Sequence, residues 1–188
     1  SLVPLAACPH SPDNVKSVSE LSKIKVDQCC IGSCTNSSYV DLMTVAAILK
    51  GRTVHPDVSL TISPGSKQVY QMLAQNGALA DLIAAGARVL ECTCGPCIGM
   101  GQSPNSAGIS LRTFNRNFLG RSGTADAGVY LVSPETAAAS AVAGFITDPR
   151  TLGEAPVIAM PERFLVNDNM ITPPASPEDA SGVQVLRG

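Results

Sequence analysis

Three cysteines have the spacing and the company to do chemistry. Cys34 lies in Ile31-Gly32-Ser33-Cys34-Thr35-Asn36-Ser37, and Cys94 and Cys97 lie in Cys92-Thr93-Cys94-Gly95-Pro96-Cys97-Ile98-Gly99. Further on runs Phe114-Asn115-Arg116-Asn117-Phe118-Leu119-Gly120-Arg121. Three thiolates can hold an iron–sulfur cube by three corners and leave one iron open. An open iron can take a substrate oxygen and polarise a hydroxyl leaving group as a Lewis acid. Arginine grips a carboxylate through a planar two-pronged fork, so Arg116 and Arg121 are candidates to hold a carboxylate substrate against that iron. Gly95 and Gly99 carry no side chain to keep backbone away from an inorganic core.

Other chemistries fit parts of this set. A Cys-x-x-Cys pair can be redox-active, zinc-binding or cluster-binding. The redox reading leaves Cys34 and the arginine run unused. Structural zinc wants four ligands, usually from two close pairs, and the adjacent Cys29-Cys30 makes a poor second pair. An electron-transfer cluster takes four cysteines, and Cys92 is available as the fourth. Ser103, Asn105 and Ser106 follow the cysteine loop and are candidates for the same cleft. His10 is a lone loop histidine, expected to be solvated.

The elements around these residues read as an α/β domain. Lys25 to Ile31 is an apolar strand that breaks at Gly32-Ser33-Cys34, and Asn36 or Ser37 then caps a helix that stops at Gly51. Cys34 therefore sits at a strand-to-helix turn, where such folds place ligands. Val58–Ile62 and Arg88–Glu91 read as strands, with helices from Lys67 to Gln75 and from Ala78 to Ala85 between them. Leu111–Phe114 and Val129–Val132 are extended. Ser133-Pro134-Glu135 opens a helix ended by Gly144. This alternation predicts a three-layer domain with a mostly parallel sheet and helices on both faces. Residues 1–22 read as irregular. Cys29 and Cys30 read as small core hydrophobes.

Composition sets limits. The chain has 188 residues, enough for one real core, with 45% hydrophobic residues and a net charge of -2. That balance gives no electrostatic case for nucleic acid or an anionic membrane. No apolar run reaches the ~18 residues that span a bilayer. The first residues lack the basic-then-apolar pattern of a signal peptide. Seven clustered cysteines fit thiols and ligands in a reducing, cytoplasmic setting better than a disulfide framework. The chain opens on Ser1 without an evident capping element, so a fragment of a longer protein is expected.

Taken in order, Gly32-Ser33-Cys34-Thr35-Asn36, Cys94-Gly95-Pro96-Cys97-x-Gly99, Asn115-Arg116-Asn117-Phe118-x-Gly120-Arg121 and Leu131-Val132-Ser133-Pro134 resemble the aconitase superfamily over essentially the whole chain. Residues 1–150 look like its third, cluster-binding α/β domain. The resemblance implies that Cys34, Cys94 and Cys97 bind a [4Fe-4S] cluster, that Arg116 and Arg121 bind substrate carboxylate, and that Asn115 orients substrate or cluster beside them. It implies a hydro-lyase acting on a di- or tricarboxylate. Citrate, cis-aconitate and isocitrate of the tricarboxylic acid cycle are expected first. Isopropylmalate or homoaconitate dehydration, or a non-catalytic metal-binding domain, are the alternatives. The family's catalytic histidines, carboxylates and serine base lie on other domains. None is therefore expected here, and the isolated chain is expected to be inactive and to need the remaining aconitase domains as partners. Some relatives bind RNA without their cluster, but the charge of this domain argues against its doing so alone. Residues 151–188 form a Pro-rich tail. Met170-Ile171-Thr172-Pro173-Pro174 and Val183–Gly188 within it resemble the linker to a mobile fourth domain, which favours a single-chain aconitase over a separate large subunit.

Overall fold

The computed structural model describes residues 2–182; the Val183–Gly188 part of the linker resemblance lies outside them. Strands are β1 (Leu5–Ala7), β2 (Val15–Ser17), β3 (Gln28–Gly32), β4 (Ser59–Ser63), β5 (Arg88–Val89), β6 (Ile109–Arg112) and β7 (Gly128–Leu131). Helices are α1 (Tyr39–Leu49), α2 (Lys67–Gln75), α3 (Ala78–Ala84), α4 (Pro134–Ala143) and the short α5 (Pro177–Ala180). The seven strands form one sheet in the order β2-β1-β7-β6-β3-β4-β5. The run from β7 to β5 is parallel, and β1 and β2 add an antiparallel edge. The expected α/β class with a mostly parallel sheet is what the chain adopts.

Strand alternation makes the two faces of the sheet chemically different. Cys29 pairs with Leu60 and Leu111, and Ile31 with Ile62; these side chains join the buried faces of α1, α2, α3 and α4 in the main core. Ala137, Ala138, Ala139 and Ala141 are fully buried in α4, and their small size lets that helix approach the sheet closely. Between the apolar positions, Gln28 pairs with Ser110, and Cys30 with Thr61 and Arg112. This second, polar face is covered by the long connection from β5 to β6, which contains the one-turn 3₁₀ helix Pro96–Ile98. The layers are therefore helices, sheet, and the loop that carries Cys94 and Cys97.

Residues 1–22 read as irregular, but residues 2–22 are more ordered than that. β1 and β2 pair with each other, Ala7 of β1 pairs with Leu131 of β7, and Val18–Leu21 is a 3₁₀ turn. Three-residue strands carry too few side chains for an alternation to show, and the partner strand is remote in sequence. The cap of α1 also shifts to Ser38, whose Oγ accepts the Asp41 N–H while the Asp41 carboxylate takes the Ser38 N–H. Asn36 and Ser37 are engaged elsewhere: Asn36 Nδ2 donates to the Thr113 carbonyl and Ser37 Oγ to the Ser33 carbonyl.

After α4 the chain has no strand among the described residues. It crosses the N-terminal ends of α1 and α2, where the Phe164 ring meets Tyr39 edge-on at 5.9 Å and Asn167 donates to Gln71 at 2.7 Å.

Candidate functional site

The strand order reverses beside β3. From β3 the chain moves outward through β4 and β5, then returns to place β6 and β7 on the other side. A crevice opens outside the carboxyl ends of the strands at such a point. The three expected site segments are found here: the turn after β3, the loop after β5 and the segment after β6.

Cys34 is exposed and follows Gly32 and Ser33 at φ 113° and 72°. Those left-handed backbones pull the chain sharply off the sheet. At Gly32 a Cβ would lie 2.0 Å from the Ser63 carbonyl oxygen, so close approach of β3 and β4 requires glycine. Thr113, just beyond β6, locks the same turn. Its Oγ1 accepts the Gly32 N–H at 2.9 Å, and its carbonyl accepts from Asn36 at 2.6 Å. The side chain thus continues a ladder whose last β3–β6 pair is Cys30 with Arg112.

Cys94 is exposed, and Cys97 is buried at 7% exposure in the 3₁₀ turn. Cys97 packs with Cys30 and Phe114 as a second, smaller core cluster. Arg121 reaches this turn: its Nε donates to the Cys97 carbonyl at 2.9 Å and its Nη2 to Cys97 Sγ at 3.3 Å. Its guanidinium also lies 5.4 Å from the centre of the Phe118 ring. Arg116 and Asn115 are exposed. Neither side chain has a hydrogen-bond partner among the described residues. Phe118 and Leu119 are more than half exposed, so they do not bury the arginines beside them. Asn117 does the structural work of this run. It is fully buried and donates to the Cys8 carbonyl at 2.8 Å, fastening the N-terminal segment beside the site. His10, exposed, forms a backbone bridge with Phe118.

Ser103 and Asn105 do not join this crevice. With Asp27, Gln28 and Ser59 they line a separate cavity of about 370 Å³. Asp27 and Ser59 mark the amino ends of β3 and β4, the opposite end of the sheet. A larger cavity of about 540 Å³ lies between the N-terminal segment, α1 and residues 149–156. None of the expected site residues lines it.

Arg112 was not among the expected residues. It is 1% exposed and lies under the cysteine loop, bonded to the Pro96 and Gln102 carbonyls. Burial lowers its pKa, opposed by the nearby Cys30 and Cys97 sulfurs. Burial pushes the Cys30 thiol up despite the Arg112 charge, and pushes Cys29 well up. Burial and the neighbouring Glu91 carboxylate both raise Cys92.

Among the described residues, no three His, Cys, Asp or Glu side chains converge on a single metal ion. A structural zinc site needs such convergence. A cube does not, because each cysteine binds a different iron. Two further observations fit a bulky inorganic group. Among the described residues, the buried hydroxyls of Ser33, Ser63 and Ser122 have no partner, and Ser33 adjoins Cys34 while Ser122 adjoins Arg121. Gly99, at φ 80°, would bring a Cβ to 3.1 Å from Ser122 Oγ, so the loop after Cys97 closes tightly on the arginine segment.

The model of the aconitase family (aconitate hydratase) matches residues 7–144. Similar curated proteins include the 3-isopropylmalate dehydratase large subunits of Caldanaerobacter subterraneus subsp. tengcongensis and of Moorella thermoacetica. They are 46% and 48% identical over 147 residues, which is 78% of this chain and 35% of each relative. The 3-isopropylmalate dehydratase large subunit 2 of Archaeoglobus fulgidus is 46% identical over 151 residues, 80% of this chain and 36% of that protein. The chain thus spans about a third of the length of the curated relatives it matches.

Proposed function

The chain belongs to the aconitase family, and we propose that it is the cluster-binding part of a hydro-lyase that dehydrates and rehydrates isopropylmalate. The motifs alone put citrate and isocitrate first. The relatives favour the alternative, since those compared carry the name 3-isopropylmalate dehydratase large subunit. They also favour a separate large subunit over a single-chain aconitase. Residues 1–150 are then the cluster domain and 151–188 the connecting segment.

In this proposal Cys34, Cys94 and Cys97 hold a [4Fe-4S] cluster. When bound, the cluster would supply a Lewis-acidic iron that polarises the departing hydroxyl. The observation that carries the proposal is the Arg121 contact with Cys97 Sγ at 3.3 Å. It sets the Arg121 guanidinium, the proposed carboxylate binder, against the thiol proposed here as a cluster ligand. Arg121 then serves twice, donating to the ligand sulfur and presenting positive charge to substrate. Arg116, exposed and unpartnered among the described residues, offers its whole fork to a carboxylate. Asn115, next to it, can donate and accept toward the same oxygens. No general base is assigned to this chain, so the isolated chain is expected to turn over nothing.

The test is turnover by the longer protein that carries this chain, assembled with its partner subunit or domains. Isopropylmalate dehydration, with citrate inert, is the expected result. Citrate turnover with isopropylmalate inert would return the assignment to aconitase, and neither would overturn the hydro-lyase proposal.

A further inference from the structure

Arg112 heads the fully buried side chains by size. Its charge has no carboxylate partner: the ion pairs of the described residues are Lys50–Asp81, His55–Asp57 and Arg150–Asp148. A buried cation without an anion is costly, so its retention calls for a reason. The guanidinium spends its donors on four neutral acceptors. Nε donates to Ser110 Oγ at 2.9 Å, Nη1 to the Pro96 carbonyl, and Nη2 to Gln28 Oε1 at 3.0 Å and the Gln102 carbonyl at 3.1 Å. The guanidinium carbon lies 5.7 Å from the centre of the Phe114 ring.

Those acceptors have a pattern. Gln28 and Ser110 belong to β3 and β6. Pro96 stands between Cys94 and Cys97, and Gln102 lies five residues beyond Cys97. One rigid fork therefore staples both ends of the Pro96–Gln102 loop to the centre of the sheet. Gln28 supports it, accepting from Ser110 at 2.8 Å and donating to the Ser103 carbonyl. The connection from β5 to β6 has no strand and a single one-turn helix, so it depends on such anchors for a fixed shape.

We propose that Arg112 is a positioning residue for the cluster cradle, stapling the Pro96–Gln102 loop so that Cys97 keeps its place and setting a fixed positive charge behind that cysteine. The charge rests on the cluster-binding function proposed above: an anionic cluster ligated by thiolates is the counterion that Arg112 lacks. The staple does not depend on it.

The test uses Arg112→Met and Arg112→Lys, with two readouts. The first is alkylation of Cys97 in the cluster-free chain, followed by peptide mass spectrometry, with fully buried Cys29 as the internal sign of an intact fold. Losing one charge-assisted hydrogen bond is enough to shift a local opening about tenfold. Cys97 in Arg112→Met is therefore expected to react at least about tenfold faster while Cys29 stays protected. Unchanged Cys97 reactivity would overturn the proposal. If Arg112→Met unfolds and Cys29 reacts, Arg112→Lys decides, since an ammonium cannot reproduce the fork: Cys97 is again expected to react faster, and an unchanged rate again overturns it.

The second readout is the reduction potential of the reconstituted cluster. Removing a nearby cation disfavours the more negative, reduced state. The potential is expected to fall in Arg112→Met and to be restored in Arg112→Lys. An unchanged potential in a folded Arg112→Met would overturn the charge role. If the unaltered chain takes up no cluster, the proposed function fails, while Cys97 reactivity still decides the staple.

Discussion

Replacing Thr113 by valine tests how the sheet builds the turn that carries Cys34. The two side chains have nearly the same shape, so the change removes one acceptor and little else. Thr113 is fully buried, and its Oγ1 takes the Gly32 N–H at 2.9 Å. In the valine variant that N–H is buried without a partner, which costs about 1–3 kcal/mol. At about 2 kcal/mol, and ~2–4 °C per kcal/mol for a chain of this size, the Tm falls by about 4–8 °C. Thr113→Ser keeps the acceptor and loses one buried methyl, costing about 1 kcal/mol. Thermal unfolding and urea titration of the three chains give the comparison. A valine variant within about 0.5 kcal/mol of the parent, or a serine variant less stable than the valine one, would refute the claim that this side chain continues the ladder.

Stability is expected to fall in alkaline solution. Burial raises the thiol pKa of Cys29 and Cys30 in the folded chain, above the ~8.5 of an unfolded cysteine. Their contribution is therefore complete below about pH 8.5 and is lost as pH rises toward the folded values. Urea midpoints between neutral and strongly alkaline pH should show the decline, and Cys29→Ala with Cys30→Ala should flatten it. On the tail, Phe164→Ala removes an edge-on aromatic contact worth about 0.5–1.5 kcal/mol. Because Phe164 is half exposed, a loss near the lower figure is expected in urea unfolding. No loss would mean that the contact with Tyr39 does not hold residues 164–169 on α1 and α2.

Much of the helical layer was legible in the chain. Ser66 and Ser133 cap α2 and α4 with hydrogen bonds of 3.2 Å to Val69 and Thr136. The bounds of α2, Lys67–Gln75, are those expected, because the turn Ser63-Pro64-Gly65-Ser66 before it and Asn76-Gly77 after it mark both ends. The strand–turn–helix at Cys34 was legible for a similar reason, a run of apolar residues ending in glycine. The polar face of the sheet was not. Ser110 and Arg112 alternate with Ile109 and Leu111, which reads as a solvated face. Here a loop rather than water covers it, and loops carry no periodic signal. Arg112 was missed for that reason. Asn117 stands in the same run as Asn115 and Arg116, yet its amide holds the Cys8 carbonyl, a tertiary contact between residues far apart in the chain. Ser103 and Asn105 follow the cysteines closely in sequence, but the loop carries them to the other end of the sheet.

The most direct measurement is anaerobic reconstitution with iron and sulfide, counting both per chain. About four of each are expected in the parent and in Cys92→Ser, and loss of the bound cluster in Cys34→Ser, Cys94→Ser and Cys97→Ser. Absence of iron uptake with tight zinc binding instead, or a cluster that survives Cys34→Ser, would contradict the three-cysteine cradle at the switch point.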